Sequence, residues 1–432
     1  MESARPKVLH EIAGRGMIFH LLATLRELAF DRTVVVTGKG MDELALAVAP
    51  NPVAVQDPPL GTGHAVMAAR KALAGFKGDV LVLYGDTPLL TQDTIERMIA
   101  ARNGKGNPAV VVLGFRPDDP GDYGRLVVEK GKLTRIVEAR DATAKEKKIG
   151  LCNAGIMAID GARLNELLDG IGNKNAKKEY YLTDIVAIAR KKRWGAVAVE
   201  AADASEVMGV NTRADLAVAE AIMQSRLRAA ALAKGVTMTD PTTVYLSHDT
   251  RFGRDVTIGP NVVFGRAVSV GDNVEIRAFC HIDGAIIGDR AIVGPFARLR
   301  PGARLGREVH IGNFVEVKEA VIEDGAKANH LTYIGDAHVG AGANIGAGTI
   351  TCNYDGFFKH RTEIGAGAFI GSNTALVAPV KVGAGAFVGA GSVITTEVAP
   401  DSLAVERSDQ IEHKGWAVRF REKKSAEKKK AG

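Results

Sequence analysis

The sequence predicts two folds in series: an α/β layer fold with a mixed, mostly parallel sheet, then a parallel β-helix of hexapeptide repeats. Two observations predict this. Over residues 1–211 short apolar runs such as TVVVT (33–37) and DVLVLY (79–84) alternate with helical patterns, and strands alternating with helices imply α/β layers. From residue 256 to 394 a branched aliphatic residue recurs every six positions, a period that neither a helix (3.6) nor a strand (2.0) produces. A β-sandwich would need hairpin turns, and Asn-Gly and Asp-Gly pairs are sparse here.

In the first half, the spacing of apolar residues predicts helices over 16–29, 42–48, 63–73 and 179–190. Strands are expected at 33–37, 53–55, 79–84, 109–113, 125–128, 135–138, 153–159 and 195–199, with a loop over 118–124. A long Ala-, Leu- and Arg-rich stretch without proline, 212–234, reads as a helix with Gly235 as its C-cap, inside a linker over 212–239. The alternation opens on a loop and a helix, whereas such sheets ordinarily open on a strand and a glycine-rich turn.

In the second half, Val256, Val262, Val268, Val274, Ile286 and Ile292 share one phase, with Cys280 in the gap, and Ile364, Ile370, Leu376, Val382, Val388 and Ile394 form a second series. Val309, Val315, Val321, Val339 and Ile345 keep the beat between them. Each is expected to point inward, contributing roughly 1.5–3 kcal/mol when buried. The period breaks over 323–336 and 351–362, and in a regular column such breaks are where function displaces regularity.

The composition, 46% hydrophobic and 25% charged over 432 residues, is that of a water-soluble chain long enough for two cores. The sequence shows no apolar stretch of about 18 residues and no signal-peptide pattern, which gives a cytoplasmic expectation without membrane insertion. Cys152, Cys280 and Cys352 lack the spacing of a zinc site or disulfide framework and read as reduced and packed. The net charge of +6 is modest and its basic residues are interspersed with acids, which argues against nucleic-acid binding. Residues 421–432 read as a basic, disordered tail.

Leu60-Gly-Thr-Gly-His64 opens a helix after a Pro-Pro pair, so its free N–H groups suit a nucleobase or phosphate. Tyr84-Gly85-Asp86 sets a carboxylate at the end of a buried strand, where it either caps a helix or binds a hard divalent cation. These motifs stand in order with Pro6-Lys-Val-Leu-His10, Asp122-Tyr-Gly-Arg125, Ile136-Val-Glu138, Tyr180-Tyr-Leu-Thr-Asp184 and Gly209-Val-Asn211 ahead of the repeats. Together they resemble the bacterial bifunctional N-acetylglucosamine-1-phosphate uridylyltransferase/glucosamine-1-phosphate N-acetyltransferase family. The resemblance implies a Rossmann-like nucleotidyltransferase domain in which Gln56, Gly61 and Thr62 meet the uracil of UTP, with Tyr84 and Gly85 beside the nucleotide. It also implies that Gly124, Glu138 and Asn153 hold N-acetylglucosamine-1-phosphate, that Lys7 reaches the phosphates, and that Asp86 and Asn211 bind Mg²⁺. The family opens with a further strand and a glycine-rich phosphate turn ending near where Met1 stands; by the resemblance, uridylyl transfer by the chain as written is expected to be weakened.

The β-helix carries Arg298-Leu-Arg-Pro-Gly302, Gly312-Asn-Phe-Val-Glu-Val-Lys318, Asn329-His-Leu-Thr-Tyr333, Asn344-Ile-Gly-Ala-Gly-Thr349 and Thr351-Cys-Asn-Tyr-Asp-Gly356, which resemble the family's acetyltransferase site. The resemblance implies a left-handed column over 240–420 that assembles as a homotrimer, with glucosamine-1-phosphate on Arg300, Lys318, Tyr333 and Asn344. Acetyl-CoA would lie on Asn353, Tyr354, Ser372, Ala390 and Arg407. His330 would be the general base, a role that suits histidine because its ordinary pKa of about 6.5 leaves it mostly neutral near pH 7. Two other classes fit the same two-domain pattern: a sugar-phosphate nucleotidyltransferase whose β-helix only assembles or regulates, and a β-helix scaffold without chemistry.

Overall fold

The computed structural model describes residues 1–175 and 177–431. Two compact units, Met1–Leu227 and Arg228–Gly432, divide the chain.

In the first unit β1 (Glu11–Ile12) and β2 (Arg15–Gly16) form a small hairpin ahead of α1 (Met17–Glu27). β3 (Val35–Gly38), α2 (Asp42–Ala47) and β4 (Val53–Gln56) follow, with β3 and β4 paired in parallel, and then α3 (Thr62–Ala68). The main sheet uses β5 (Asp79–Val82), β6 (Val110–Phe115), β7 (Arg125–Glu129), β8 (Lys132–Val137), β9 (Cys152–Asp160) and β10 (Ala196–Glu200). Its order is β10-β6-β9-β7-β8, with β5 joined to β9. β9 pairs antiparallel with β5, β6 and β7, β10 runs parallel to β6, and β8 antiparallel to β7. Four strands therefore run one way and two the other. A cleft of about 500 Å³ is lined by β3 residues such as Val36 on one side and β5 residues such as Leu81 on the other.

β6 is the centre of the core because both its faces are covered. Val110 and Val112 pack with Leu164, Leu167, Ile185 and Val186 of α5 (Gly161–Asp169) and α6 (Asp184–Lys191). Val111 and Leu113 face the other way, onto Leu21 and Leu25 of α1 and Ile95 and Met98 of α4 (Gln92–Arg102). Alternate residues of a strand point to opposite faces, so a strand buried on both reads as an unbroken apolar run. α4 and α5 were not among the expected helices, although Ile95, Met98 and Ile99 and then Leu164, Leu167 and Leu168 carry helical spacing; Thr91 caps the first by accepting from Thr94 N–H, and Asp160 caps the second by accepting from Ala162 N–H. The helix expected over 179–190 starts only at Asp184. The preceding backbone is engaged elsewhere: Tyr180 N–H donates to Leu60 O, Tyr180 O accepts from Gly63 N–H, and Leu182 N–H donates to Thr62 Oγ1. α7 (Arg213–Ala233) ends as expected before Gly235, whose φ of +90° turns the chain.

The second unit is a parallel β-helix. Ten short strands, from Thr237–Met238 to Leu403–Ala404, stack as one sheet, and the remaining strands stack as another. Inward residues fall two apart, such as Val256 just before the strand Thr257–Ile258 and Ile258 within it, both fully buried. All six members of the later series, from Ile364 to Ile394, are buried. Two earlier sets need correction: Ile286 of the first series and Val321 of the intermediate set are exposed, at 44% and 36%, and Ile292 is half-buried. The coil length explains this. Arg254 N–H reaches Asp272 over 18 residues, but Asp272 N–H reaches Asp289 over 17, so the phase slips by one; Arg307 N–H reaches Asp324 over 17 as well, a second slip that turns Val321 outward and puts Ala320 and Ile322 inside. Ala285, Ile287, Ala291 and Val293 take the interior instead, as a one-residue shift requires.

The break over 323–336 keeps its strands, Lys327–His330 and Tyr333–Val339, while that over 351–362 holds a loop closed by an antiparallel bridge between Tyr354 and Lys359. The tail is a second correction: α8 (Trp416–Ala431) is helical and solvent-exposed, with Gly432 outside the described residues. Its Ala, Glu, Lys and Arg residues are strong helix formers, and a high charge density does not prevent a helix. The three cysteines are free; burial pushes the Cys280 thiol up to about 11.

Two candidate active sites

The first unit holds a cavity of about 860 Å³ at the ends of β4, β8 and β9. Gln56, Gly61, Thr62, Tyr84, Glu138 and Asn153 all line it. Gly61 has a φ of +99°, and a Cβ there would lie 2.8 Å from Tyr180 O, so only glycine lets this loop lie on the 180 segment. Gln56 Nε2 donates to Gly61 O at 3.0 Å, which fixes its amide toward the loop. Gly124 O accepts from Asn153 N–H at 2.8 Å, and a Cβ on Gly124 would lie 3.6 Å from Glu138 Oε2. Burial raises the Glu138 carboxyl above its ordinary range, with Asp141 and Asp184 adding repulsion against the pull of Lys177. Tyr84 is raised by burial and then by Asp86 and Glu138. Tyr181, Asn175 and Lys177 also line the cavity; sequence reasoning passed over them, although Tyr181 lies inside a quoted motif.

Lys7, Asp86 and Asn211 form a separate cluster. Lys7 Nζ donates to Asp86 Oδ2 at 2.5 Å and to Asn211 Oδ1 at 2.9 Å. Asp86 caps no helix, since the next helix is capped by Thr91. Asn211 is held in turn by Asp215, whose Oδ2 accepts from the N–H groups of Asn211 and Thr212. Those bonds keep the Asp215 carboxyl below its ordinary range. Two hard oxygen donors thus converge on one cation. Gly85 contributes room: a Cβ there would meet Val8 Cγ1 at 3.3 Å.

In the β-helix, Gly312 permits adjacent coils to approach, since a Cβ there would lie 1.9 Å from Asn329 O. That approach sets His330 beside Asn313, and Nδ1 and Asn313 Oδ1 are 2.7 Å apart. With the amide oxygen as acceptor Nδ1 is the donor, and in the neutral form of the ring Nε2 is then the nitrogen with the lone pair. Lys318 pairs with Asp336 at 3.7 Å, and Asn353 Nδ2 donates to the same Asp336 carboxylate and, at 3.4 Å, to Tyr333 Oη. Arg300 pairs with Glu316 at 2.7 Å, and Tyr333 stacks one coil beyond Glu316 in the same ladder. Asn344 sits on the neighbouring sheet opposite Lys327. Arg407 Nη1 donates to Ala390 O at 2.6 Å, and Ser372 O accepts from Gly391 N–H. Tyr354 is exposed, with Lys359 Nζ 4.6 Å from its ring centroid. Asn313, Glu316 and Asp336 are the residues that sequence reasoning missed; Asn313 and Glu316 lie in quoted motifs, but nothing in the linear order says that they touch His330 and Arg300.

Comparison with known proteins agrees with both halves. Residues 1–149 match the MobA-like NTP transferase domain, and 249–284, 284–319 and 361–396 match the bacterial transferase hexapeptide (six repeats). The bifunctional protein GlmU of Paramagnetospirillum magneticum is 61% identical over 430 residues, covering 100% of this chain and 96% of that one. Those of Rhodospirillum rubrum and Azorhizobium caulinodans are 59% and 55% identical, each covering 98% of this chain and 94% of the relative. With such identity over nearly the whole of each relative, and a nucleotidyltransferase half joined to a hexapeptide column, the chain belongs to the bifunctional GlmU family, the uridylyltransferase/N-acetyltransferases whose motifs it carries.

Proposed function

We propose that the β-helix site transfers acetyl from acetyl-CoA to the amine of glucosamine-1-phosphate, with His330 as general base. The observation that carries this is the Asn313–His330 pair, which leaves Nε2 as an acceptor. Nε2 takes a proton from the amine as its nitrogen attacks the thioester carbonyl; the C–S bond breaks and the coenzyme A thiolate leaves, to be reprotonated. Arg300 and Lys318 are the cations for the sugar phosphate, each now neutralised by a carboxylate that the phosphate can replace. Tyr333 and Asn344 orient the sugar, and Asn353, Tyr354, Ser372, Ala390 and Arg407 follow the acetyl-CoA. His330→Ala should lower turnover by about 10²–10⁴; near-normal turnover removes the residue from that role.

In the first unit the larger cavity takes UTP and N-acetylglucosamine-1-phosphate. Gln56, Gly61 and Thr62 face the base, Tyr84 and Gly85 flank the nucleotide, and Gly124, Glu138 and Asn153 hold the sugar. A sugar-phosphate oxygen attacks the α-phosphorus and pyrophosphate leaves, so positioning and charge carry the rate. Asp86 and Asn211 are the residues to hold Mg²⁺, which fits a donor set of one carboxylate and one amide oxygen, the remaining ligands being phosphate and water. When bound, the ion neutralises phosphate charge; Lys7 supplies a further positive charge there. Among the described residues there is no group of three or more His, Cys, Asp or Glu poised for a metal, in keeping with a site that the substrate completes.

We also propose that the protein is a homotrimer in the cytoplasm. What supports assembly is an exposed apolar ladder on the column: Phe279, Phe296 and Phe314 stack at centroid distances of 4.9 and 5.1 Å, the sort of patch that marks an interface. Among the described residues no helix is long and apolar enough to cross a membrane.

A further inference from the structure

The cation position between Asp86 and Asn211 already contains a charge. The Lys7 ammonium meets one oxygen of each, at 2.5 and 2.9 Å, which is the arrangement a bound cation would adopt. We propose that Lys7 is an internal counter-ion that holds this position in the free enzyme, yields it to the divalent ion, and moves onto nucleotide phosphate as it leaves. The proposal rests on the reading of Asp86 and Asn211 as the cation ligands.

Three features make the exchange physically reasonable. Two unlike occupants compete because an ammonium and a divalent cation drawn to the same pair of oxygens repel each other strongly at close range. The lysine can leave: its side chain is 36% exposed, its stem is long and flexible, and of three N–H donors only two are engaged, so the third can meet a phosphate oxygen before the others release. Asn211 stays in place meanwhile, since its backbone is anchored by Asp215 rather than by Lys7. The consequence is coupling. Metal alone must evict the ammonium with nothing to receive it, whereas metal arriving with a triphosphate gives the ammonium a new partner, so metal and nucleotide each strengthen the other's binding.

The test is Mn²⁺ binding to the full-length chain without nucleotide, followed by calorimetry or by the loss of the free-ion electron paramagnetic resonance signal. Lys7→Met and Lys7→Gln should each bind Mn²⁺ about tenfold or more tightly than wild type, the effect of removing one nearby positive charge. Lys7→Arg, which keeps the charge, should bind as weakly as wild type. Equal or weaker binding by both neutral variants, or tightening by Lys7→Arg as well, overturns the proposal. The double variant Lys7→Met/Asp86→Asn separates the two readings. Loss of the tightening places the ion at Asp86, whereas binding as tight as in Lys7→Met shows that the ion lies elsewhere and sinks the site assignment together with the inference.

Discussion

Asn313→Ala isolates what the neighbouring coil does for His330. The amide accepts the Nδ1 hydrogen at 2.7 Å and so selects the tautomer with a basic Nε2. An ordinary hydrogen bond is worth about 0.5–1.5 kcal/mol net, and about 1.4 kcal/mol is tenfold in rate. Loss of the bond should therefore lower the turnover number roughly two- to tenfold, much less than His330→Ala. The side chain bonds to His330 rather than to the residues proposed to hold sugar or coenzyme, so KM for both substrates should hold. Free coenzyme A thiol is the readout. Because Asn313 acts through His330, the double variant should be no slower than His330→Ala alone. Asn313→Asp adds a carboxylate beside the ring and should move the acidic limb of the pH–rate profile upward. Unchanged turnover in Asn313→Ala, or a double variant slower by the product of the two single effects, would refute the reasoning.

Gly312→Ala should prevent the coils from closing, because its Cβ would lie 1.9 Å from Asn329 O; acetyl transfer should fall with loss of melting temperature, both measurable on one preparation. Burial raises the Glu138 carboxyl, so its ionised form is penalised in the fold, and a proton returns to it at a higher pH than for an ordinary glutamate. Sugar-phosphate binding in the first unit, followed by calorimetry, should therefore weaken as pH falls through that raised value, and Glu138→Gln should flatten the dependence. Asp215→Ala removes the acceptor for two backbone N–H groups; faster hydrogen exchange at Asn211 and Thr212 is expected, with no change in acetyl turnover. Asp355 accepts from the N–H groups of Phe357 and Phe358 and contacts His360, which holds its carboxyl well below the usual range. A depressed carboxyl contributes order above its unfolded value and loses it as pH falls, so Asp355→Ala should speed exchange of the Phe357 and Phe358 amides at neutral pH.

Periodicity made the architecture legible where one interaction dominates. β6 declared itself as an apolar run because both faces are covered, and the later β-helix series because its coils keep a constant step. It misled where a coil is one residue short, since a period of six carries no record of a slip, and Ile286 and Val321 turned outward. The 180 segment carried the spacing of a helix, but its N–H and C=O groups are engaged by the Leu60–Gly63 loop. α4 and α5 were passed over although each carries a short apolar stripe, Ile95–Met98–Ile99 and Leu164–Leu167–Leu168, and a capping residue, Thr91 and Asp160. Most of the candidate residues came from motif resemblance, which names side chains that meet ligands. It did not name Asn313, Asp336 or Asp215, whose work is to orient other residues and whose partners lie a coil or a loop away.

In the proposed mechanism acetyl transfer depends on His330 in the β-helix and not on the Lys7–Asp86–Asn211 cluster of the first unit. Acetyl transfer to glucosamine-1-phosphate, measured as thiol release at saturating substrates for wild type, Asp86→Ala and His330→Ala, tests it most directly. Equal turnover is expected for wild type and Asp86→Ala, and a loss of about 10²–10⁴ for His330→Ala. An Asp86→Ala variant slowed as much as His330→Ala, or a His330→Ala variant near wild type, would contradict it.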